Sequence, residues 1–276
     1  MGQHCSFQLL APPQARFAGE FARTIHNEQL YDHYLASMQR LRGRVYLKDN
    51  AIKPCDLDRD GRFHMHSDEQ SWHLLLVDDR NEVIGCAKYL VHSSHVPYHR
   101  LRISQSALAK DASWSDKVRK AVEGDLRRAR EARLSYVEVG GWALAEEWRG
   151  TRAALEILVG SFALGQLWGG SLGSCTATVR HSSSSMLRRL GGSSFELEGE
   201  PLPSYDDPEY GCTMELLRFD YRTPAQRFLP LIDQLKGTLK KLSVLTPVQD
   251  SVCIHLSTEF IPEQSRFLHL TPAFLA

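Results

Sequence analysis

The chain has 276 residues, 42% of them hydrophobic, which suits one large folded domain or a domain with an appendage. Lys+Arg and Asp+Glu each number 33 and the formal net charge is zero at pH 7, which argues against a nucleic-acid or membrane-surface binder. The cysteines, at 5, 55, 86, 175, 212 and 253, show no C-x-x-C spacing and sit mostly in apolar runs, so reduced, buried thiols in a cytoplasmic protein are expected, and no disulfide scaffold or zinc ribbon.

The opening MGQHCSFQLLAPPQ lacks a basic segment leading into a long apolar core, so no signal peptide is read. Residues 1–20, with weak pattern and two prolines, read as an irregular arm leading into a short strand near Phe21 to Ile25. Asn27 then serves as an N-cap. Leu30, Tyr31, Tyr34, Leu35, Met38, Leu41, Val45 and Tyr46 follow helical spacing, and the helix carries Arg40, Arg42 and Arg44 near its C-terminal end. Those arginines complement the helix dipole; they would also suit an acidic carrier protein as a docking face.

Residues 50–70 form a polar connection containing Asp56-x-Asp58-x-Asp60-Gly61. This matches the first half of a calcium loop, but position twelve is Ser67 and Pro54 precedes it, so no metal is assigned. A surface acidic turn is the plain reading; a cluster that holds the ammonium group of an amine substrate is the functional one. Trp72 to Val77 and Val83 to Val91, separated by a polar turn, read as a β-hairpin. The histidines at 64, 66, 73, 92, 95 and 99 fall in no zinc spacing. A polar loop over Ser94 to Ser113 precedes an amphipathic helix over Ser115 to Arg133.

The stretch Tyr136 to Gly170 organises the rest. A β-branched and aromatic run to Leu144 is interrupted by Gly140-Gly141, passes a charged turn at Glu146 to Gly150, and becomes periodically apolar at Leu155, Leu158, Val159, Phe162 and Leu167. Strand, turn and helix follow from that pattern. A double glycine in mid-strand marks a bulge or a close approach to the backbone. Glycine beside Arg149 and Arg152 at a helix start suits a phosphate. The apolar helix contains Glu156 and falls short of the ~20 residues a membrane span needs.

Beyond it lie a strand over Leu172 to Val179, a polar cap and a short helix closed by Gly191-Gly192, and two strands at Ser193 to Leu197 and Cys212 to Asp220. Thr223-Pro224 opens a helix expected over Thr223 to Leu242. Residues 243–276 hold one alternating run, Ser251 to Ser257, in a proline-punctuated tail.

Ala143 to Ala154 resembles the signature of the GCN5-related N-acetyltransferase superfamily, whose Q/R-x-x-G-x-G/A loop wraps the pyrophosphate of coenzyme A. Here the loop reads Arg149-Gly150-Thr151-Arg152-Ala153-Ala154, with Arg152 where the central glycine stands in the family and Ala145 where a proline is common. The resemblance implies an α/β (α+β) fold, a mixed and mostly antiparallel central sheet flanked by helices, over 21–222, with 223–276 as a C-terminal helical extension. It implies an acyltransferase with no permanently bound cofactor, using acyl-CoA or an acyl-phosphopantetheine as cosubstrate. In the segment 181–188 the family's asparagine, alanine and tyrosine acid are replaced by His181, Ser184 and Arg188.

Within the superfamily, Arg40 to Tyr46, the acidic residues at 56–60, Ile84-Gly85-Cys86-Ala87-Lys88 and Glu138 look like the acyl-homoserine-lactone synthases and related N-acyl amino acid synthases. Lys88 stands where those usually have arginine, and Gly141 where a second arginine follows the strand glutamate. This resemblance implies transfer of a fatty acyl group, from acyl carrier protein or acyl-CoA, to the amine of an amino acid or related small molecule.

The chemistry needs a base, held geometry and donors for the oxyanion. Glu138, flanked by Tyr136, Val137 and Val139, is the base candidate, and alternation puts it on the face of Gly140 and Trp142. An ion pair with an arginine is the plainer alternative for it. Val139, Gly140, Trp142 and Arg149, Gly150, Thr151, Arg152, Ala153 and Ala154 are expected along the thioester; Asp56, Asp58, Asp60 and Lys88 are expected around the amine. An acetyl-CoA-dependent N-acetyltransferase and a non-catalytic acyl-thioester binding protein are the alternatives.

Overall fold

The computed structural model describes residues 5–15 and 20–247. In chain order the elements are β1 (Cys5–Leu10), β2 (Arg23–His26), α1 (Glu28–Lys48), β3 (Trp72–Asp78), β4 (Val83–His92), α2 (Ala107–Lys110), α3 (Ser115–Glu131), β5 (Ser135–Leu144) and α4 (Arg152–Leu167). They continue with β6 (Ser171–Thr178), α5 (Ser183–Leu190), β7 (Ser193–Ser194), β8 (Glu196–Leu197), β9 (Glu200–Pro201), β10 (Tyr205–Asp207), β11 (Cys212–Asp220), α6 (Leu229–Leu239) and β12 (Ser243–Thr246).

One sheet runs β10-β11-β6-β5-β4-β3-β1-β12-β2, with β7 added to β11, and β8 pairs with β9 apart from it. It is mixed and mostly antiparallel, the parallel pairs being β1/β12, β12/β2 and β5/β6. On one face, α1 covers one apolar cluster that includes Leu75 and Cys86, and α3 covers another that includes Tyr136 and Leu216. On the other face, α4 and α6 pack over Leu74, Val137, Cys175 and Phe219. Among the described residues no helix is long and apolar enough to cross a membrane.

The long helices sit where periodicity places them. Asn27 caps α1, its side-chain oxygen accepting the Leu30 N–H at 2.9 Å. Tyr31, Tyr34, Met38 and Leu41 face the sheet. α4 buries Ile157, Val159, Phe162 and Leu164 because it lies between the sheet and α6, which explains an apolar surface on more than one side. Each such large side chain contributes about 1.5–3 kcal/mol by burial.

Four expectations need correction. Within the stretch read as an irregular arm, Cys5–Leu10 is an interior strand, antiparallel to β3 and parallel to β12. Its six residues bury only Leu9 and Leu10 fully, so its pattern is weak and the neighbouring strands define it. In the C-terminal extension, the helix is followed by a strand that the sequence did not suggest. β12 inserts between β1 and β2, completing the sheet at a distance of more than two hundred residues in sequence. The last helix begins at Leu229 rather than Thr223, Pro230 occupying its first turn, while Thr223 bonds back to Asp220. The loop before α3 contains single helical turns and the one-turn helix α2. The alternating run Ser251 to Ser257 lies outside the described residues.

Candidate functional site

β5 is paired on both edges only through its first part. Its parallel contact with β6 runs Ser135↔Ser171 to Glu138↔Ser174 and then stops, while pairing to β4 continues to Leu144. β6 stays with β11 as far as Thr178. The two strands therefore fork just beyond Glu138, and the backbone of Val139–Leu144 presents an edge without a ladder partner among the described residues. α4 starts at the open end of that fork, because β5 reaches it through the short turn Glu146–Trp148.

The glycine pair sits on the fork's β5 prong and forms the bulge. The ladder partners Lys88↔Gly140 and Cys86↔Ala143 leave Gly141 and Trp142 opposite Ala87 alone. Gly141 has φ +62°, and a Cβ there would lie 3.1 Å from Lys88 Cβ and 3.2 Å from an Arg42 guanidinium nitrogen. A side chain would be strained twice over, by conformation and by crowding. The buried Cys86 thiol donates to the Gly141 carbonyl at 3.3 Å, tying the bulge to β4.

The extra residue corrects one reading of facing. Glu138 and Gly140 share the face of Lys88 and Leu90, but after the bulge Ala143 takes that face, and Trp142 packs with the cluster beneath α4. Strict alternation cannot survive an inserted residue.

On the α1 and α3 face lies a set of charges away from water. Arg42 is fully buried, its guanidinium engaging both carboxylate oxygens of Asp68 and donating to the Phe63 carbonyl at 2.8 Å. Gln39 donates to the same carboxylate at 3.1 Å, and Met65 N–H at 3.1 Å. Burial opposes both charges, yet each partner outweighs it: Asp68 is held below the ordinary carboxylate range and Arg42 above its own. His73 bonds the Asp68 carbonyl at 2.8 Å, and burial lowers it to about 4.

Lys88 and Glu138 stand beside this pair. The Lys88 ammonium donates to Ser67 Oγ at 2.7 Å; burial, partly offset by Asp68, brings it down to about 8. Glu138 Oε1 accepts the Arg102 N–H at 2.8 Å. Burial drives its carboxyl up to about 7, against the pull of that N–H and of Lys88. A carboxyl of this kind is half ionised at neutral pH, where a general base works best. No arginine side chain pairs with it among the described residues.

The three aspartates of the connecting loop are arranged otherwise. Asp56 accepts the Lys53 N–H at 2.7 Å; Asp58 accepts the N–H groups of Asp60 and Arg62 and pairs with His64; Asp60 pairs with Arg62 at 3.0 Å. All three are exposed and shape their own turn. The loop is laid against α1, the Gly61 carbonyl passing where a Cβ on Gly43 would lie 2.6 Å away. Its effect is to deliver Ser67 and Asp68 to the buried charges.

At the fork's open end Arg149 pairs with Asp49 at 3.2 Å, and Arg152 with Glu156 at 2.6 Å and with Gln234 of α6 at 3.1 Å. The Thr151 hydroxyl donates to the Trp148 carbonyl, so the first N–H groups of α4, over Arg152, Ala153 and Ala154, have no side-chain cap. Arg180, just past β6, donates to the carbonyls of Asp49 and Gly211, each at 2.7 Å. The end of α1 is thus held to both prongs.

The sequence put Arg42 with Arg40 and Arg44 as dipole partners or a carrier-docking face; it pointed to neither Asp68 nor Arg102, and to Ser67 only as the twelfth position of a failed calcium loop. One signal was present. Arg42 lies four residues after Met38 on the inward stripe of α1, where a charge demands a buried partner.

No known family profile matches the sequence, and no curated protein does. Solved structures resemble the fold. A CoA-dependent acyl-homoserine lactone synthase, BjaI, solved with SAM and isopentyl-CoA, aligns over 90% of this chain and 97% of its own, at TM-score 0.50 and 14% identity. The acyl-homoserine lactone synthase LasI aligns over 82% and 94% at TM-score 0.48 and 16% identity, and FeeM, an N-acyl amino acid synthase from uncultured soil microbes, over 80% and 93% at 0.49 and 9%. The likeness to BjaI is one of fold, and it is the same fold that the Ala143 to Ala154 resemblance implies.

Proposed function

We propose that the chain is an N-acyltransferase that moves an acyl group, fatty in the favoured reading, from a phosphopantetheine thioester to the amine of an amino acid or related small molecule. The observation that carries this is Glu138, a half-buried carboxyl raised to about 7, set where β5 parts from β6 beside a backbone bulge. A thioester arm lying in the fork would run along Val139, Gly140 and Trp142, with its carbonyl near N–H groups that the bulge withdraws from the ladder. Glu138 takes the proton from the attacking amine, whose nitrogen forms the new amide bond as the carbon–sulfur bond breaks and the thiolate departs. Lys88, the ammonium on the same face, orients the acceptor.

The loop Arg149, Gly150, Thr151, Arg152, Ala153 and Ala154 receives the phosphate end through the uncapped N–H groups of α4. Its two arginines already have carboxylate partners, which favours a donor with the single phosphate of acyl carrier protein over the nucleotide of coenzyme A. Asp56, Asp58 and Asp60 act by shaping the loop that carries Ser67 and Asp68. Mass spectrometry of small molecules that accumulate in expressing cells tests the reading. A fatty N-acyl amine whose production stops with Glu138→Gln supports it; bound acetyl-CoA without a new lipid favours an acetyltransferase, and neither favours a thioester-binding protein.

A further inference from the structure

Glu138 has a second neighbour on its own face. In the β4/β5 ladder Leu90 lies opposite Glu138 and His92 opposite Tyr136, so His92 and Glu138 sit one diagonal step apart. His92 Nε2 comes to 3.7 Å from Glu138 Oε1, the oxygen that accepts the Arg102 N–H. That nitrogen is buried and has no hydrogen-bond partner among the described residues, a costly state for a polar atom unless a small side-chain rotation closes the gap. The side chain as a whole is 17% exposed, so the rest of the ring can exchange protons with water.

We propose that His92 is a positioning residue for Glu138, a neutral imidazole that donates from Nε2 to the carboxylate and, in its other tautomer, accepts at Nε2 from the carboxylic acid. The carboxyl then keeps one orientation before and after it takes a proton from the amine. The change of tautomer moves one proton onto Nδ1 and one off Nε2 by exchange with water, and the ring's charge does not change. Charged neighbours fit this: Glu138 faces Lys88 and both the peptide N–H and the guanidinium of Arg102, while His92 faces Arg100 and Glu138, so cations already meet the carboxylate and an imidazolium gains little. Burial and Arg100 lower His92 to about 4, which keeps the ring neutral through the range where Glu138 titrates.

The inference rests on Glu138 being the base, and its test is separate from turnover. Histidine-labelled full-length protein is followed by nitrogen NMR from pH 5 to 8.5, beside Glu138→Gln and His92→Gln. The expected result is that His92 Nε2 changes from unprotonated to protonated at a midpoint near that of Glu138, with no imidazolium signal, and that this step vanishes in Glu138→Gln. In His92→Phe the Glu138 midpoint, read by carbon NMR of the carboxyl, should rise by about one unit, because the charge-assisted bond lost from the carboxylate is stronger than the neutral bond lost from the acid; His92→Gln, whose amide both donates and accepts, should restore most of it. An Nε2 signal indifferent to Glu138, or a Glu138 midpoint equal in native, Phe and Gln proteins, overturns the proposal. A coupled titration in a protein that consumes no acyl thioester would support the pairing and remove the acyltransferase reading instead.

Discussion

Two acidic regions lie within a dozen residues of each other and behave in opposite ways. Asp56, Asp58 and Asp60 stand in an exposed turn, where each carboxylate satisfies nearby backbone N–H groups or a side chain of the same loop. Asp68 is buried, and its charge is met by Arg42, Gln39 and the Met65 N–H. The first region has the denser motif and the second has the interaction energy, since a carboxylate in water loses little and one removed from water needs every partner it has. A cluster of like charges in a sequence therefore marks a loop more readily than a site.

The contrast is sharpest on substitution. Asp68→Ala should cost roughly 3–5 kcal/mol, because it leaves the Arg42 guanidinium buried and unpaired; denaturant unfolding measures it, and an unchanged midpoint would break the comparison. In the proposed reaction Glu138→Gln should reduce acyl transfer by about 10²–10⁴-fold. The same change should stabilise the fold at pH 8. The Glu138 carboxyl is raised from 4.5 to about 7, so between those values the folded chain holds a proton that the unfolded chain has lost. Its contribution is complete below about 4.5 and disappears as pH rises through 7, a swing of at most ~3 kcal/mol. The native protein should therefore lose stability over that interval relative to Glu138→Gln, as thermal melts at several pH values would show.

Gly141→Val should cost roughly 1–3 kcal/mol through its positive φ and the crowding of Lys88 and Arg42. Tight coupling to the site would also lower transfer activity in the fraction that folds. Smallest of all, Asp58→Asn should leave the melting midpoint and the acyl-transfer rate where they were. A large loss of activity there, with stability intact, would return the exposed turn to the substrate.

Several features were legible before any coordinates. Helical spacing and Asn27 located α1; the apolar runs around the turn at 78–82 located the β3/β4 hairpin; the glycine pair announced the bulge that Gly141 makes. Glu138 stood out because a charged residue inside a β-branched run must be either paired or perturbed. His92 did not, as one of many scattered histidines, and it matters only because the ladder sets it diagonally from Glu138.

By itself the sequence determined what depends on neighbours in the chain: periodicity, caps, turns, the bulge and the strand-turn-helix order at the fork. Only the tertiary structure decided what depends on distant partners. β1 is a strand because β3 and β12 flank it, Arg42 is an interior charge because a loop brings Asp68 to it, and Trp142 turns away from Glu138 because the bulge resets the pleat. Burial and pairing are properties of contacts made across the chain, and the free energy of a charge follows those contacts rather than its sequence neighbours.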